Sequence, residues 1–248
     1  MAMRAPSAIR KGWGSESLRP LATGGLLMLA PCLPKPQNRP HHTRERNATM
    51  KITYAAASPY VRKALACAIA RGIDGQLEKW TIATSDAALR AINPLSKVPT
   101  LVPDTGAALY DSPVICEYLD SVGSAPQLFP AAGPARWTAL RLQALGDGIM
   151  DASQPRRREI ALPQDEGRTD YIAQQRGKVA AAVDALEAEA GSFGDLTTIG
   201  EITVACALGY LDFRFANEPW RPGHPKLDAW YARVVKLPAM AGTMPPAG

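Results

Sequence analysis

One stretch, 93–112 (NPLSKVPTLVPDTGAALYDS), limits what this chain can fold into more than any other. Pro99 has no amide proton and tolerates a cis bond, so the backbone of Val98 before it is able to turn its own N–H and C=O toward a ligand and pair with it as a strand would. Asp111-Ser112-Pro113 then opens an apolar helical run of Val114, Ile115, Tyr118 and Leu119, with Ser112 expected at the N-cap and Pro113 at N1. The bare amides and hydroxyl of such a helix start bind a carboxylate. Either half alone reads better as an ordinary strand, hairpin and capped helix with no ligand. Together, at this spacing, they describe a site for a small peptide.

Around this stretch the chain changes character three times. Residues 1–49 are rich in Pro, Arg, Ser and Gly without a sustained period, and Met50 begins a strand-like KITYAA, so the first 49 residues are expected to be a disordered or non-native leader. The other reading is a targeting segment, with a charged lead over 4–19 and a short apolar core over 21–33, weakened by Gly24, Gly25 and Pro31. From Met50 the expected order is a strand over 51–55, a helix over 59–71, a strand over 76–81, a short helix near 86–92, two strands around Gly106, and the helix at Ser112. Val61, Leu65, Ala68 and Ile69 recur at helical spacing, and Gly72 stands where a left-handed cap belongs. Pro126 and Pro130 punctuate a linker over 125–134.

Beyond the linker, 135–150 and 171–190 carry helical periods without strand signals, with Val179, Val183 and Leu186 as one buried stripe. Thr198-Ile199-Gly200-Glu201 matches a capping box, and the following run to Leu211 is apolar on nearly all sides, so it reads as a buried helix. The expected fold class is therefore an α/β domain over 50–124 followed by an all-α domain over 135–248.

Charge and cysteine placement remove several functions. The formal charge is +5, but residues 1–49 hold eight Lys/Arg against Glu16 and Glu45, so the remainder is close to neutral and has no general affinity for polyanions. Nucleic acid is not an expected partner. Cys32, Cys67, Cys116 and Cys206 are widely separated, and His41, His42 and His224 form no ligand motif, so neither a metal nor a disulfide framework is expected. Cys67, Cys116 and Cys206 sit in apolar helical patterns and read as core residues in a reducing compartment. There is no run of 18 apolar residues, so no membrane partner is expected either.

NPLSKVP, the helix start YDSPVICEYL and an upstream SPYVRK over 58–63 together resemble the glutathione transferases, from Met50 to about Pro246. The resemblance implies a thioredoxin-like N-terminal domain and an all-helical C-terminal domain, glutathione as cosubstrate with no metal, a small electrophile as second substrate, and a cytoplasmic homodimer. It implies that Val98, with Pro99, pairs with the cysteinyl unit of glutathione and that Asp111 and Ser112 hold its γ-glutamyl end. Lys97 matches a position that reaches the glycine carboxylate, although a solvated surface lysine is the other reading. The family usually has aspartate where this chain has Glu201, a change that keeps the capping chemistry.

In this reading the nucleophile belongs to glutathione, and the protein's task is to favour its thiolate. A free thiol with a pKa of about 8.5 is only about 3% ionised at pH 7. Ser58 directly precedes Pro59, a good N-cap and N1 pair that brings a hydroxyl and free helix amides to one point. Lowering the thiol pKa by ~2 units requires ~2.7 kcal/mol, and a charge-assisted hydrogen bond of about 1.5–3 kcal/mol is of that size. The bland alternative is that Ser58 only caps its helix. Tyr60 is a possible substitute donor, though at N2 it is as well placed to line the pocket. Serine in place of cysteine favours conjugation over thiol reduction, because a hydroxyl cannot exchange with sulfur. The electrophile pocket is expected between the domains, facing the helix that carries 147–151 and 156–158, with Tyr60, Met150 and Arg156 as its candidates. A catalytically silent interaction protein and a glutathione-dependent dehalogenase or isomerase are the competing functions.

Overall fold

The computed structural model describes residues 50–104 and 106–246, so the expectations for the first 49 residues, with Cys32, His41 and His42, lie outside the described residues. The chain from Met50 opens with β1 (Met50–Tyr54), α1 (Pro59–Ala70), β2 (Leu77–Thr81), α2 (Ala87–Ile92), β3 (Leu101–Val102) and α3 (Ser112–Val122). The sheet order is β2-β1-β3. The βαβ unit makes β1 and β2 parallel, with Ile52 opposite Lys79, while β3 returns antiparallel with Ile52 opposite Leu101. Ile52 and Leu101 are fully buried at the sheet's centre.

The second of the two strands expected around Gly106 is reduced to a single bridge between Leu101 and Leu109. Pro103 follows β3 directly and has no N–H to donate to a ladder, which accounts for the short strand. Helix α1 packs on α3 and also against two helices of the C-terminal half, and its Ala64, Ala66, Cys67 and Ala68 are wholly buried. Small side chains on nearly every face are what permit such close neighbours. As the sequence predicts, Gly72 follows the helix with φ +68°.

The rest of the described chain is helical: α4 (Gly133–Ile160), α5 (Glu166–Glu189), α6 (Ile199–Arg214), α7 (Pro225–Val234) and α8 (Pro238–Ala241). This is a thioredoxin-like fold followed by an all-helical region. The central element is α6, in which every residue from Ile199 to Leu211 is buried. Its capping box is formed: Thr198 Oγ1 accepts from the Glu201 N–H, and Glu201 accepts from the N–H groups of Gly194, Thr197 and Thr198. Helix α4 lies along α6 at glycine distance. A Cβ on Gly200 would stand 2.6 Å from the Ala139 carbonyl oxygen, and one on Gly146 would stand 2.9 Å from Thr203.

Helix α4 runs on from Met150 through Pro155 to Ile160, so Arg156, Arg157 and Arg158 share one helix with 147–151, as expected, and have fixed angular positions. The segment 123–132 between α3 and α4 is held by a buried Arg71–Asp120 pair at 3.0 Å, and the Asp120 carboxylate also accepts from the N–H groups of Leu128 and Phe129. Among the described residues no helix is long and apolar enough to cross a membrane, and no group of three or more His, Cys, Asp or Glu is arranged to hold a metal ion.

Candidate functional site

A cavity of about 470 Å³ opens where the N-terminus of α1, the loop before β3 and the start of α3 face the walls made by α4 and α6. The β3 side is built locally. The buried Asn93 side chain donates to Thr100 Oγ1 and to the Lys97 carbonyl, while Thr100 exchanges hydrogen bonds with Thr53 of β1. These contacts fix the loop that presents Lys97, Val98 and Pro99 to the cavity, and the Val98–Pro99 peptide is cis. Among the described residues neither the N–H nor the C=O of Val98 has a hydrogen-bond partner, which leaves a short length of strand edge open.

At the start of α3 the Ile115 N–H bonds to the Asp111 carbonyl at 3.1 Å. This first intrahelical bond makes Asp111 the N-cap, with Ser112 at N1 and Pro113 at N2, one position earlier than the spacing suggests. The Asp111 carboxylate makes no cap hydrogen bond and lines the cavity beside Ser112. Ser58 is the N-cap of α1, and its Oγ accepts from the Val61 N–H at 3.3 Å. Among the described residues nothing accepts the Ser58 hydroxyl proton, so that proton is available to a ligand in the cavity.

The opposite wall is charged. Tyr60 donates its phenolic proton to the Asp151 carboxylate, and burial followed by that hydrogen bond pushes the phenol well above its ordinary range. One turn away Lys63 is fully buried and its Nζ donates to both oxygens of Asp147, at 2.7 and 2.9 Å. Burial raises the Asp147 carboxyl, and the Lys63 charge offsets part of that rise. Arg157 and Arg158 of α4 and Tyr210 and Arg214 of α6 complete the wall. Burial raises the Tyr210 phenol, while Arg157, Arg214 and Arg158 all pull it the other way, so three guanidinium groups act on one hydroxyl.

Two models of the glutathione S-transferase family match this chain, the N-terminal domain over residues 57–122 and the C-terminal domain over residues 169–233. The uncharacterized GST-like protein YibF of Escherichia coli (strain K12) is 32% identical over 200 residues, which span 79% of this chain and 99% of that protein. The chain belongs to the glutathione S-transferase family. A crystal structure of a glutathione transferase family member from Pseudomonas fluorescens Pf-5 with bound glutathione is 42% identical, with a TM-score of 0.75, over 80% of this chain and all of that one. A second structure of a family member from the same organism, 41% identical with a TM-score of 0.71 over the same shares, holds S-(propanoic acid)-glutathione.

Within the family fold the structure brings Ser58, Tyr60, Lys97, Val98, Pro99, Asp111 and Ser112 to one cavity. It does not bring Met150 or Arg156 there. Met150 is wholly buried, and Arg156 is 4% exposed, paired with Glu218 and stacked on Phe215 away from the cavity. The cause is helical phase. Met150, Ser153 and Arg156 follow one another at three-residue steps on the core face of α4, whereas Asp151, Gln154 and Arg158 share the cavity face. Thr84, Tyr210 and Arg214 also line the cavity without having been singled out in the sequence. For Arg158 the signal was present, since Asp147, Asp151, Gln154 and Arg158 lie at helical spacing. For Tyr210 and Arg214 it was absent, because they enter from a helix whose apolar run reads only as core.

Proposed function

We propose that this protein is a glutathione transferase that joins the glutathione thiol to small electrophiles, with Ser58 stabilising the thiolate. The observation that carries the reading is the convergence of four unused groups on one cavity: the Val98 backbone, the Asp111 carboxylate, the start of α3 at Ser112, and the Ser58 hydroxyl. In the proposed complex Val98 pairs with the cysteinyl unit beside Pro99. Asp111 and Ser112 take the γ-glutamyl ammonium and carboxylate, and Lys97 takes the glycine carboxylate. The cysteinyl sulfur then falls near Ser58 at the N-terminus of α1, where a hydroxyl donor and helix amides favour the charged form. Tyr60 is a poor rival for that role, because its proton is already given to Asp151 and its phenol is a weaker acid than usual.

Relatives support the reading from their own ligands: the Pseudomonas fluorescens structures hold glutathione and a glutathione thioether. Detoxification of electrophiles by a cytoplasmic homodimer is the cellular role we propose. Cys67, Cys116 and Cys206 are free, as a reducing compartment requires, and burial pushes the Cys206 thiol up to about 11, away from reactivity. Exposed Trp137, Val114 and Val122 offer apolar surface for a partner subunit. Calorimetry with glutathione, combined with a conjugation assay over varied electrophiles, tests the proposal. Binding with turnover is expected, and Asp111→Ala should weaken binding by tenfold or more, about the value of one charge-assisted hydrogen bond. Binding without turnover on any electrophile would leave a silent binding protein, and no binding would remove the reading altogether.

A further inference from the structure

Three arginines stand on the cavity wall away from Val98 and Ser112: Arg157 and Arg158 near the end of α4, and Arg214 at the end of α6. Eight other arginines, including the buried Arg71 and Arg156, have carboxylate partners. Among the described residues Arg157, Arg158 and Arg214 have none. Among the described residues that line the cavity the acids are Asp111, at the start of α3, and Asp151, one oxygen of which accepts the Tyr60 hydroxyl proton. Arg214 is the most committed of the three. Its guanidinium carbon lies 3.8 Å from the centroid of the Phe213 ring, and its Nε is buried with no hydrogen-bond partner. That enclosed Nε is out of a ligand's reach, so it is the rest of the guanidinium, where Arg214 lines the cavity, that an anionic ligand group can meet. The two carboxylates of glutathione do not need these arginines, since Lys97 and the start of α3 are available to them on the other wall.

We infer that the second substrate carries a carboxylate, which Arg214 anchors and Arg157 and Arg158 attract and orient. The inference rests on the transferase reading and names its substrate class: small electrophiles with an acid group a few bonds from the reacting carbon. With a chlorodinitrobenzoate, the glutathione sulfur forms the new S–C bond, chloride leaves with the electron pair of the C–Cl bond, and the thiol proton passes to solvent. The carboxylate is unchanged and serves only in binding. A neutral carboxamide of the same ring offers the same reaction without the anion.

The test measures binding apart from turnover. The two purified thioethers, glutathione joined to the dinitrobenzoate and to the dinitrobenzamide, are titrated calorimetrically into the wild-type protein, Arg214→Gln, and the exposed pair Arg157→Gln/Arg158→Gln. The acid thioether is expected to bind wild type at least about tenfold more tightly than the amide thioether, and Arg214→Gln is expected to erase that preference while glutathione itself binds as before. The double variant, which alters only exposed side chains, should lower the preference in part and mainly at low salt. Equal affinity of the two thioethers for wild type would overturn the inference, as would Arg214→Gln weakening glutathione itself. Turnover of both aryl chlorides with equal thioether affinities would remove the inference and leave the transferase. Preference for the acid thioether with no turnover of either chloride would keep the anion site and remove the transferase.

Discussion

Replacing Lys63 with methionine should cost the fold about 3–5 kcal/mol at neutral pH, because it strands the Asp147 carboxylate in a site built for an ion pair. Lys63 is fully buried and the Asp147 side chain is 16% exposed, so solvent cannot replace the lost ammonium. The cost should depend on pH in a definite direction. Burial raises the Asp147 carboxyl in the folded protein even with Lys63 present, and removing Lys63 deletes the charge that opposes the rise. A carboxyl raised in the folded state favours folding most when it is protonated, and that contribution is lost as pH climbs from the unfolded value through the folded one. The penalty of Lys63→Met should therefore be larger at pH 7 than at pH 5, since acidification favours the protonated form of the raised Asp147 carboxyl. Urea denaturation of wild type and variant at both values measures the effect. The double variant Lys63→Met/Asp147→Leu should recover most of the loss, since an apolar pair of similar volume replaces the ion pair. A single variant within about 1 kcal/mol of wild type at pH 7, or a penalty that does not change with pH, would refute the reasoning.

Tyr60→Phe should retain conjugation at neutral pH within about threefold of wild type, because the phenolic proton is committed to Asp151; a hundredfold loss in kcat would move the activating role from Ser58 to Tyr60. Glu201→Gln should cost roughly 2–3 kcal/mol in a urea titration, since the new amide presents N–H groups to backbone N–H donors from Gly194, Thr197 and Thr198 that now share two carboxylate oxygens. Removing residues 1–49 should leave glutathione affinity unchanged by calorimetry, as the described residues that line the cavity all lie at Ala57 or later.

How much of this was legible in the amino-acid sequence follows from the range of each interaction. Ser58-Pro59, Gly72 and Thr198…Glu201 act through contacts within a few residues, so their pattern alone places three helix ends. The cap of α3 was shifted by one because Asp111 and Ser112 are both good N-caps, and only the Ile115–Asp111 bond decides between them. Pro155 stands inside α4, where proline costs one hydrogen bond, and the packing of α4 along α6 outweighs that loss. The buried pairs Lys63–Asp147 and Arg71–Asp120 join residues far apart in the chain, and in sequence each charge looks like an ordinary solvated side chain. Helical phase could have excluded Arg156 from the cavity, but only once Asp151 was known to face it. The cavity wall formed by Val98, Pro99, Asp111 and Ser112 is local and its clustering was readable; the opposite wall is assembled from α1, α4 and α6 and was not.

The central claim is that the Ser58 hydroxyl holds the glutathione thiolate, and the ultraviolet absorbance of that thiolate reads it without any electrophile. Titrating the wild-type complex should show ionisation about 2 pH units below the value of about 8.5 for a free thiol, and Ser58→Ala should move it back up by a unit or more while glutathione still binds. The same variant loses the cap bond from the Val61 N–H, worth about 1 kcal/mol of stability, but that loss does not act on the thiol. Coincident wild-type and Ser58→Ala titration curves would contradict the account and assign the thiolate to another donor in the cavity.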